Sequence, residues 1–341
     1  MIRVGIDLTP LNNQSKYRGI GKYTQRLIAS LRSVKDIELT SLPNEADIVH
    51  YPFFDFFFLT LPFVKPKKTV VTIHDCIPLA FPDQYPPGIK GRAKFLIQKQ
   101  SLKGVEAVIT DSESSKKDIV KYLDYPAEKI WVVYLAADPC FGIVEDKKEK
   151  DKIKEKYMLP DKFVLYVGDV NYNKNLSNLI KAYSQVKDKA DLVFVGKSFE
   201  NKTLKEVKEI LFLIKELNLE KKVHFPGYIP DSDLKVVYNL ASVYCLISLY
   251  EGFGLGVLEA MSCGCPVVAS KLSSLPEAAG DAALLVDPYS KDEIGKAIGK
   301  LLGSKKEREE YAKKGVKRAG LFSWEKVAEE TAEVYKKVVK K

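Results

Sequence analysis

Short apolar runs alternate with segments of helical period along the whole chain. In the first half, Val4–Leu8, Ile48–Tyr51, Thr69–Ile73, Ala107–Thr110 and Ile130–Tyr134 read as strands, and Gly21–Leu31, Lys90–Leu102 and Ser114–Leu123 as helices. In the second half the expected strands are Phe163–Val167, Leu192–Val195, Val223–Phe225, Val243–Ile247 and Pro266–Ala269. The expected helices there are Asn175–Val186, Leu204–Leu217 and Leu234–Ala241. Strand–helix alternation predicts parallel sheets covered on both faces. The pattern breaks between Ala136 and Lys150, where Asp138-Pro139 and a charged run interrupt it, and then restarts. The fold class is therefore α/β, with two Rossmann-like, doubly wound parallel-sheet domains facing across a cleft, residues 1–145 and 146–322. A last helix, Ser323 to Val339, opens with Ser323 as N-cap and is long enough to leave the second domain.

Composition narrows the class. The chain has 341 residues, 46% hydrophobic and 29% charged, within the range of a globular protein with two cores. Met1–Asp7 already reads as a strand, so no leader is expected. The longest apolar stretch, Phe53 to Val64, carries Asp55 and Pro62 and is too short to cross a bilayer. Cys76, Cys140, Cys245, Cys263 and Cys265 lack framework spacing, which predicts reduced thiols in the cytoplasm. The net charge of +9 lies largely in lysine-rich helical stretches such as Lys147 to Lys156 and Lys336 to Lys341. No nucleic-acid-binding signature accompanies it, so no nucleic-acid partner is expected.

The run from Ser248 to Met261 carries the most chemistry. Glu251 sits in a glycine-rich loop and Glu259 in the helix expected after it, with Phe253, Gly254 and Leu255 between them. If the stretch is helical, eight residues rise roughly 12 Å, about the span from a sugar ring across a diphosphate to a ribose. Backbone N–H groups at the helix start suit a diphosphate. Lys174, in the loop Gly168–Leu176 after an expected strand, could neutralise the same group. His74 and Asp75 end a buried strand, at the mouth of a sheet. Arg18-Gly19-Ile20-Gly21 opens the first helix with glycines that let backbone approach an anion. The dinucleotide fingerprint is not completed, because Thr24 stands where a third glycine would be. Asp231-Ser232-Asp233 is better read as a helix start than as a metal-binding pair, and no metal is expected.

These motifs together resemble the retaining glycosyltransferases of family 4, with the GT-B fold. The resemblance covers nearly the whole chain and includes Glu251/Glu259, Gly19–Gly21, His74-Asp75, Gly168…Lys174, Leu275-Pro276-Glu277, Gly280-Asp281-Ala282-Ala283, Asp287-Pro288 and Phe322-Ser323-Trp324. It implies transfer of a hexose from a nucleotide-diphosphate sugar to a hydroxyl of a glycan or lipid-linked acceptor, with retention and without metal or cofactor. It implies that Glu251 contacts the donor sugar and Glu259 the ribose. Phe253, Gly254, Leu255 and Lys174 would meet the sugar or diphosphate, and Gly19 and Gly21 the diphosphate or acceptor. Tyr228 would lie near the base, and His74 with Asp75 near the reacting sugar. The last helix would cross back to the first domain.

The Pro276-Glu277 and Gly280-Asp281 context resembles mannosyl- and rhamnosyltransferases, which makes GDP-mannose the first donor expected. Two departures stand out. Asp169 and Asn173 occupy positions where many members carry arginine, and Gly256 replaces a frequent proline. Two other readings stay open: a GT-B epimerase, which would share the two domains but not the whole motif set, and a non-catalytic nucleotide-sugar binder, which the missing arginine makes plausible. The aromatic run Tyr51–Leu59 suits either core packing or an apolar surface. With the basic amphipathic stretch Lys90 to Lys103, that surface would allow peripheral contact with an anionic membrane at its inner face.

Overall fold

The computed structural model describes residues 1–12, 19–40 and 43–340. The chain forms two compact units, residues 1–135 with 322–341, and residues 136–321. Arg18 lies outside the described residues.

The first unit is built on a six-stranded, all-parallel sheet: β1 (Ile2–Ile6), β2 (Ile37–Thr40), β3 (Ile48–Tyr51), β4 (Lys68–Thr72), β5 (Ala107–Thr110) and β6 (Ile130–Val132), in the order β2-β1-β3-β4-β5-β6. The strands β4 and β5 are buried along almost their whole length, as a sheet covered on both faces requires. Helices Gly19–Leu31, Gly88–Leu102 and Glu113–Leu123 belong to this unit. The last starts at Ser112, whose hydroxyl accepts from the Ser115 N–H at 3.0 Å, a capping bond that satisfies one orphan donor.

The terminal helix, Trp324–Lys340, packs on this sheet. Trp324, Val327, Ala328, Thr331, Tyr335 and Val338 recur at helical spacing and are all buried. Burying each large apolar side chain in this stripe contributes about 1.5–3 kcal/mol. Two polar locks fix the register. Buried His50 meets Tyr335 Oη through Nδ1 at 2.6 Å and Thr72 Oγ1 through Nε2 at 2.8 Å. The Lys68 ammonium donates to the carbonyls of Val338 and Val339, both at 3.1 Å, at the negative end of the helix. Ser323 Oγ accepts from Lys326 N–H at 3.2 Å, as its N-cap reading predicts.

The second unit carries the other all-parallel sheet: β7 (Phe163–Val167), β8 (Asp191–Val195), β9 (Val223–Gly227), β10 (Val243–Leu246), β11 (Val267–Ser270) and β12 (Ala283–Val286). Its order is β12-β11-β10-β7-β8-β9, so β7 and β10 are neighbours although far apart in sequence. That is the point where strand order reverses, and the loops leaving the carboxyl ends of two such strands form the binding crevice of a doubly wound sheet. Those two loops carry Lys174 and Glu251.

One expectation is corrected here, and one that was open is divided between its alternatives. Helix Gly88–Leu102 is not a simple amphipathic stretch. It buries Gly91, Gln98, Ser101 and Leu102 while leaving Ile89, Leu96 and Ile97 exposed. Gln98 is held inside by hydrogen bonds to Asp55 O at 3.2 Å and Thr60 Oγ1 at 3.0 Å. The aromatic run, in turn, is divided. Phe54 and Phe56 enter the core, and Phe58 and Leu59 are about 60% exposed.

Candidate active site

In the second unit, the loop after β10 is fixed before any ligand arrives. The Glu251 carbonyl accepts from Ser273 Oγ and Ser274 Oγ, each at 2.9 Å. Its carboxylate accepts from Ser248 Oγ at 2.6 Å and receives the Lys174 ammonium on both oxygens, at 2.7 and 3.0 Å. Lys174 closes a single turn, Tyr172–Lys174, after β7. Asn173, buried beside it, donates to Tyr250 O at 2.9 Å and accepts from Leu249 N–H at 2.7 Å through its carbonyl. The two loops at the switch point are thus stitched together by backbone as well as by charge.

Helix Leu255–Ser262 begins only after Gly254, so Glu251 and Glu259 do not lie on one continuous helix and their separation is not set by helical rise alone. Gly254 has φ +102°, and a Cβ there would lie 2.5 Å from Leu275 Cδ2, so both backbone and space demand glycine. The N–H groups of Leu255 and Gly256, in the first turn, have no acceptor within the helix. Phe253 is buried beneath the loop.

Glu259 projects from the same helix, and Tyr238 Oη donates to its Oε2 at 3.1 Å. Tyr238 is buried and packed edge-on against Phe141 and Tyr244. The phenol of Tyr244 lies within the field of both acids: burial first, then the charges of Glu259 and Glu251, hold it protonated. A Cβ at Gly256 would come within 2.4 Å of that phenol oxygen.

The positions where arginine was expected are used for structure. Asp169 accepts from Ser198 Oγ at 2.7 Å through its carboxylate and from Tyr166 Oη at 2.6 Å through its carbonyl. Tyr228 is exposed after β9, its N–H donating to Glu200 Oε1 at 2.8 Å. Asp231 and Asp233 lie in the first turn of helix Asp231–Leu240, and Asp233 takes Lys156 Nζ at 2.6 Å and Tyr157 Oη at 2.7 Å. Among the described residues, no group of three or more His, Cys, Asp or Glu side chains could hold a metal ion.

In the first unit, His74 stands just beyond β4, flanked by the ends of its neighbours. The ladder pairs Thr72 with Ile109, so continuing it two residues sets His74 opposite Asp111. His74 Nδ1 meets Asp111 Oδ2 at 2.7 Å and Nε2 meets Pro52 O at 3.2 Å. The Tyr23 ring packs edge-on at 4.6 Å, and Ser115 Oγ donates to the His74 carbonyl at 3.0 Å. Burial works against a charged His74. The charge and hydrogen bond of Asp111, the charge of Asp75 and the Pro52 carbonyl outweigh it, and its pKa is raised. Asp75 accepts from Ile77 N–H at 2.9 Å, just before the short helix Ile77–Ala80. Gly19 and Gly21 form the first turn of helix Gly19–Leu31. Space around Gly19 is open and Gly21 is buried.

Sequence reasoning missed Asp111 and Tyr238, and it named Ser248 and Asn173 without their partners. Asp111 could have been found from the parallel register of two strands already expected. Ser248 and Asn173 are ordinary loop residues whose partners become visible only once β7 and β10 are neighbours.

Residues 147–318 match the family described as glycosyl transferases group 1, and residues 10–140 match glycosyltransferase family 4. The O-antigen chain mannosyltransferase B of Escherichia coli is 32% identical over 278 residues, 79% of this chain and 70% of that protein. The serotype-specific mannosyltransferase WbdA of Escherichia coli is 28% identical over 77% of this chain, which spans only 32% of that longer protein. Among solved structures, Anabaena Alr3699/HepE in complex with UDP and glucose superposes with a TM-score of 0.77, at 17% identity, over 98% of this chain and 99% of that one.

Proposed function

Because the chain belongs to the group 1 glycosyl transferases, of GT-B fold, we propose that it moves a hexose from a nucleotide-diphosphate sugar to an acceptor hydroxyl, keeping the anomeric configuration and using no metal. The observation that carries this reading is the Lys174–Glu251 pair set beside the N-terminus of helix Leu255–Ser262. Glu251 receives the sugar hydroxyls and Glu259 the ribose. The residues around Gly254 lie along the diphosphate. As the anomeric bond breaks, negative charge grows on the leaving phosphate. The Lys174 ammonium and the N–H groups of Leu255 and Gly256 stabilise it, each such donor contributing on the order of 3 kcal/mol. The acceptor attacks on the face the phosphate leaves, and a phosphate oxygen takes its proton. The second unit is the donor domain and the first the acceptor domain, with His74 at the reacting sugar. GDP-mannose is the first donor to test, supported by the similarity to the Escherichia coli mannosyltransferases.

The acceptor is a glycan or a lipid-linked sugar, and the inside-out helix of the first unit supports contact with an anionic membrane. Ile89 is 90% and Leu96 67% exposed, next to Lys90, Arg92 and Lys94. Basic charge beside exposed apolar side chains is what interfacial binding requires. No helix of the described residues is long and apolar enough to cross a membrane. Flotation with anionic vesicles at low salt tests this: binding should weaken in Ile89→Ser/Leu96→Ser, and absence of wild-type binding would remove the membrane reading.

The functional reading is tested by incubating the chain with GDP-, UDP- and ADP-sugars and acceptor while following nucleotide release and the fate of the sugar. Transfer releases nucleotide diphosphate, whereas an epimerase would change the sugar with no acceptor present.

A further inference from the structure

The first unit holds a buried pair whose chemistry is set by which atoms face it. His74 Nδ1 meets a carboxylate oxygen and Nε2 meets a peptide carbonyl oxygen. A carbonyl can only accept, and so can an ionised carboxylate. Both ring nitrogens must then donate, which only the doubly protonated imidazole can do. The carboxylate needs that cation. Asp111 is buried, its second oxygen Oδ1 has no hydrogen-bond partner among the described residues, and no lysine or arginine pairs with it there. A buried carboxylate left without a counter-ion is strongly destabilising.

We infer that Asp111 is a positioning residue that keeps both nitrogens of His74 protonated, so that His74 serves the transfer reaction as a cationic hydrogen-bond donor and not as a base. The inference rests on the functional reading above, and it names the charge state and the orienting partner of one of its residues.

The surroundings agree. Among the described residues, the titratable groups facing His74 are Asp111 beyond β5, Asp75 next in the chain, Tyr23 from helix Gly19–Leu31 and His50 from β3. Asp111 and Asp75 both favour the imidazolium. Tyr23 is held neutral, by burial first and then by the charge of Asp111. His50, pushed down to about 3 by burial and then by the charge of His74, adds no competing cation near neutral pH. The Tyr23 ring edge also fixes the plane of the imidazole. In this geometry Nε2–H is the one donor not spent on Asp111. A substrate hydroxyl oxygen that displaced the Pro52 carbonyl would receive it.

The sign of the pH effect follows. With its pKa raised, the donor form of His74 is complete below that value and is lost as pH rises through it. The basic limb of kcat/KM should therefore follow the His74 titration. An opposite charge at this range is worth about 1–3 pH units, so Asp111→Asn should move both the ring titration and the basic limb down by that amount. The ring state is read by nitrogen NMR of the full chain labelled at histidine. The chain has three histidines, and His74→Gln identifies the signal. At neutral pH in the wild type, both His74 nitrogens should show protonated shifts, a measurement that needs no folded variant. A neutral ring there, or a titration unmoved by Asp111→Asn, overturns the inference. So does a ring titration that moves while the basic limb stays fixed. If no donor is turned over at all, the functional reading fails and takes the catalytic half of this inference with it, while the ring measurement still decides the charge state.

Discussion

The Lys174 ammonium meets both carboxylate oxygens of Glu251, at 2.7 and 3.0 Å, with the two side chains only 20% and 11% exposed. Neither partner can be removed alone without stranding the other. Lys174→Met should lower kcat about 100- to 1,000-fold and destabilise the fold by on the order of 3 kcal/mol, because Glu251 keeps a buried charge. Lys174→Met/Glu251→Gln should recover most of the stability and none of the activity. Urea unfolding and initial rates, measured on the same preparations, separate the two effects.

Gly256 is explained by Tyr244. Alanine usually gains about 1 kcal/mol over glycine inside a helix, but here the added carbon would lie 2.4 Å from a phenol oxygen buried in the core. Gly256→Ala should therefore destabilise by about 1–3 kcal/mol, and Tyr244→Phe should relieve most of that cost. A proline at 256 would place its Cβ in the same space. A double-mutant cycle of melting temperatures checks the coupling.

Tyr238 holds Glu259 through a hydrogen bond of 3.1 Å from the core side. Such a bond to a charged group is worth about 1.5–3 kcal/mol. In Tyr238→Phe the donor KM should rise about tenfold with kcat little changed. Discrimination between ribose- and 2′-deoxyribose-containing donors should fall, because on the proposed reading the Glu259 carboxylate receives the ribose and is no longer oriented. Unchanged discrimination would confine Tyr238 to packing.

His50 gives the first unit an acid-sensitive lock. Its pKa is about 3 in the folded chain, lowered by burial and then by the charge of His74, against about 6.5 when unfolded. Between those values the unfolded chain binds the extra proton, so this contribution is complete above about pH 6.5 and is lost as pH falls. The loss is up to about 1.4 kcal/mol per pH unit. His74, with its raised pKa, runs the other way, stabilising at low pH and losing that as pH rises. Denaturant melts at pH 7 and pH 5 should show a smaller acid loss in His50→Gln than in the wild type.

Much of the architecture could be read from the pattern of apolar runs, and particular elements show where this stopped. Strands β3, β5 and β7 fall where the periodicity places them, because central parallel strands are short apolar runs bounded by turns. The missed strands, Ile37–Thr40 and Ala283–Val286, are the edge strands β2 and β12. Each has four residues and only partial burial, too little to separate it from a loop. At the site, Glu251, Glu259 and Lys174 were visible as residues, and the Lys174–Glu251 bond was not. That bond depends on β7 and β10 becoming neighbours across 79 positions of sequence. Asp111 was hidden for a similar reason: its partner is 37 residues away, and only the register of β4 on β5 joins them.

The central claim is that the Glu251 loop binds and activates a nucleotide-diphosphate sugar. The most direct measurement follows nucleotide diphosphate release and glycoside formation from GDP-, UDP- and ADP-sugars, with the wild type and Glu251→Ala compared side by side in the presence of acceptor. One donor should be turned over by the wild type, with nucleotide and glycoside appearing in equal amounts and the anomeric configuration kept. Glu251→Ala should be inactive and, although destabilised by the stranded Lys174 ammonium, still folded, because the Glu251 backbone stays tied to Ser273 and Ser274. Full activity in Glu251→Ala, or release of nucleotide from none of the donors, would contradict the account.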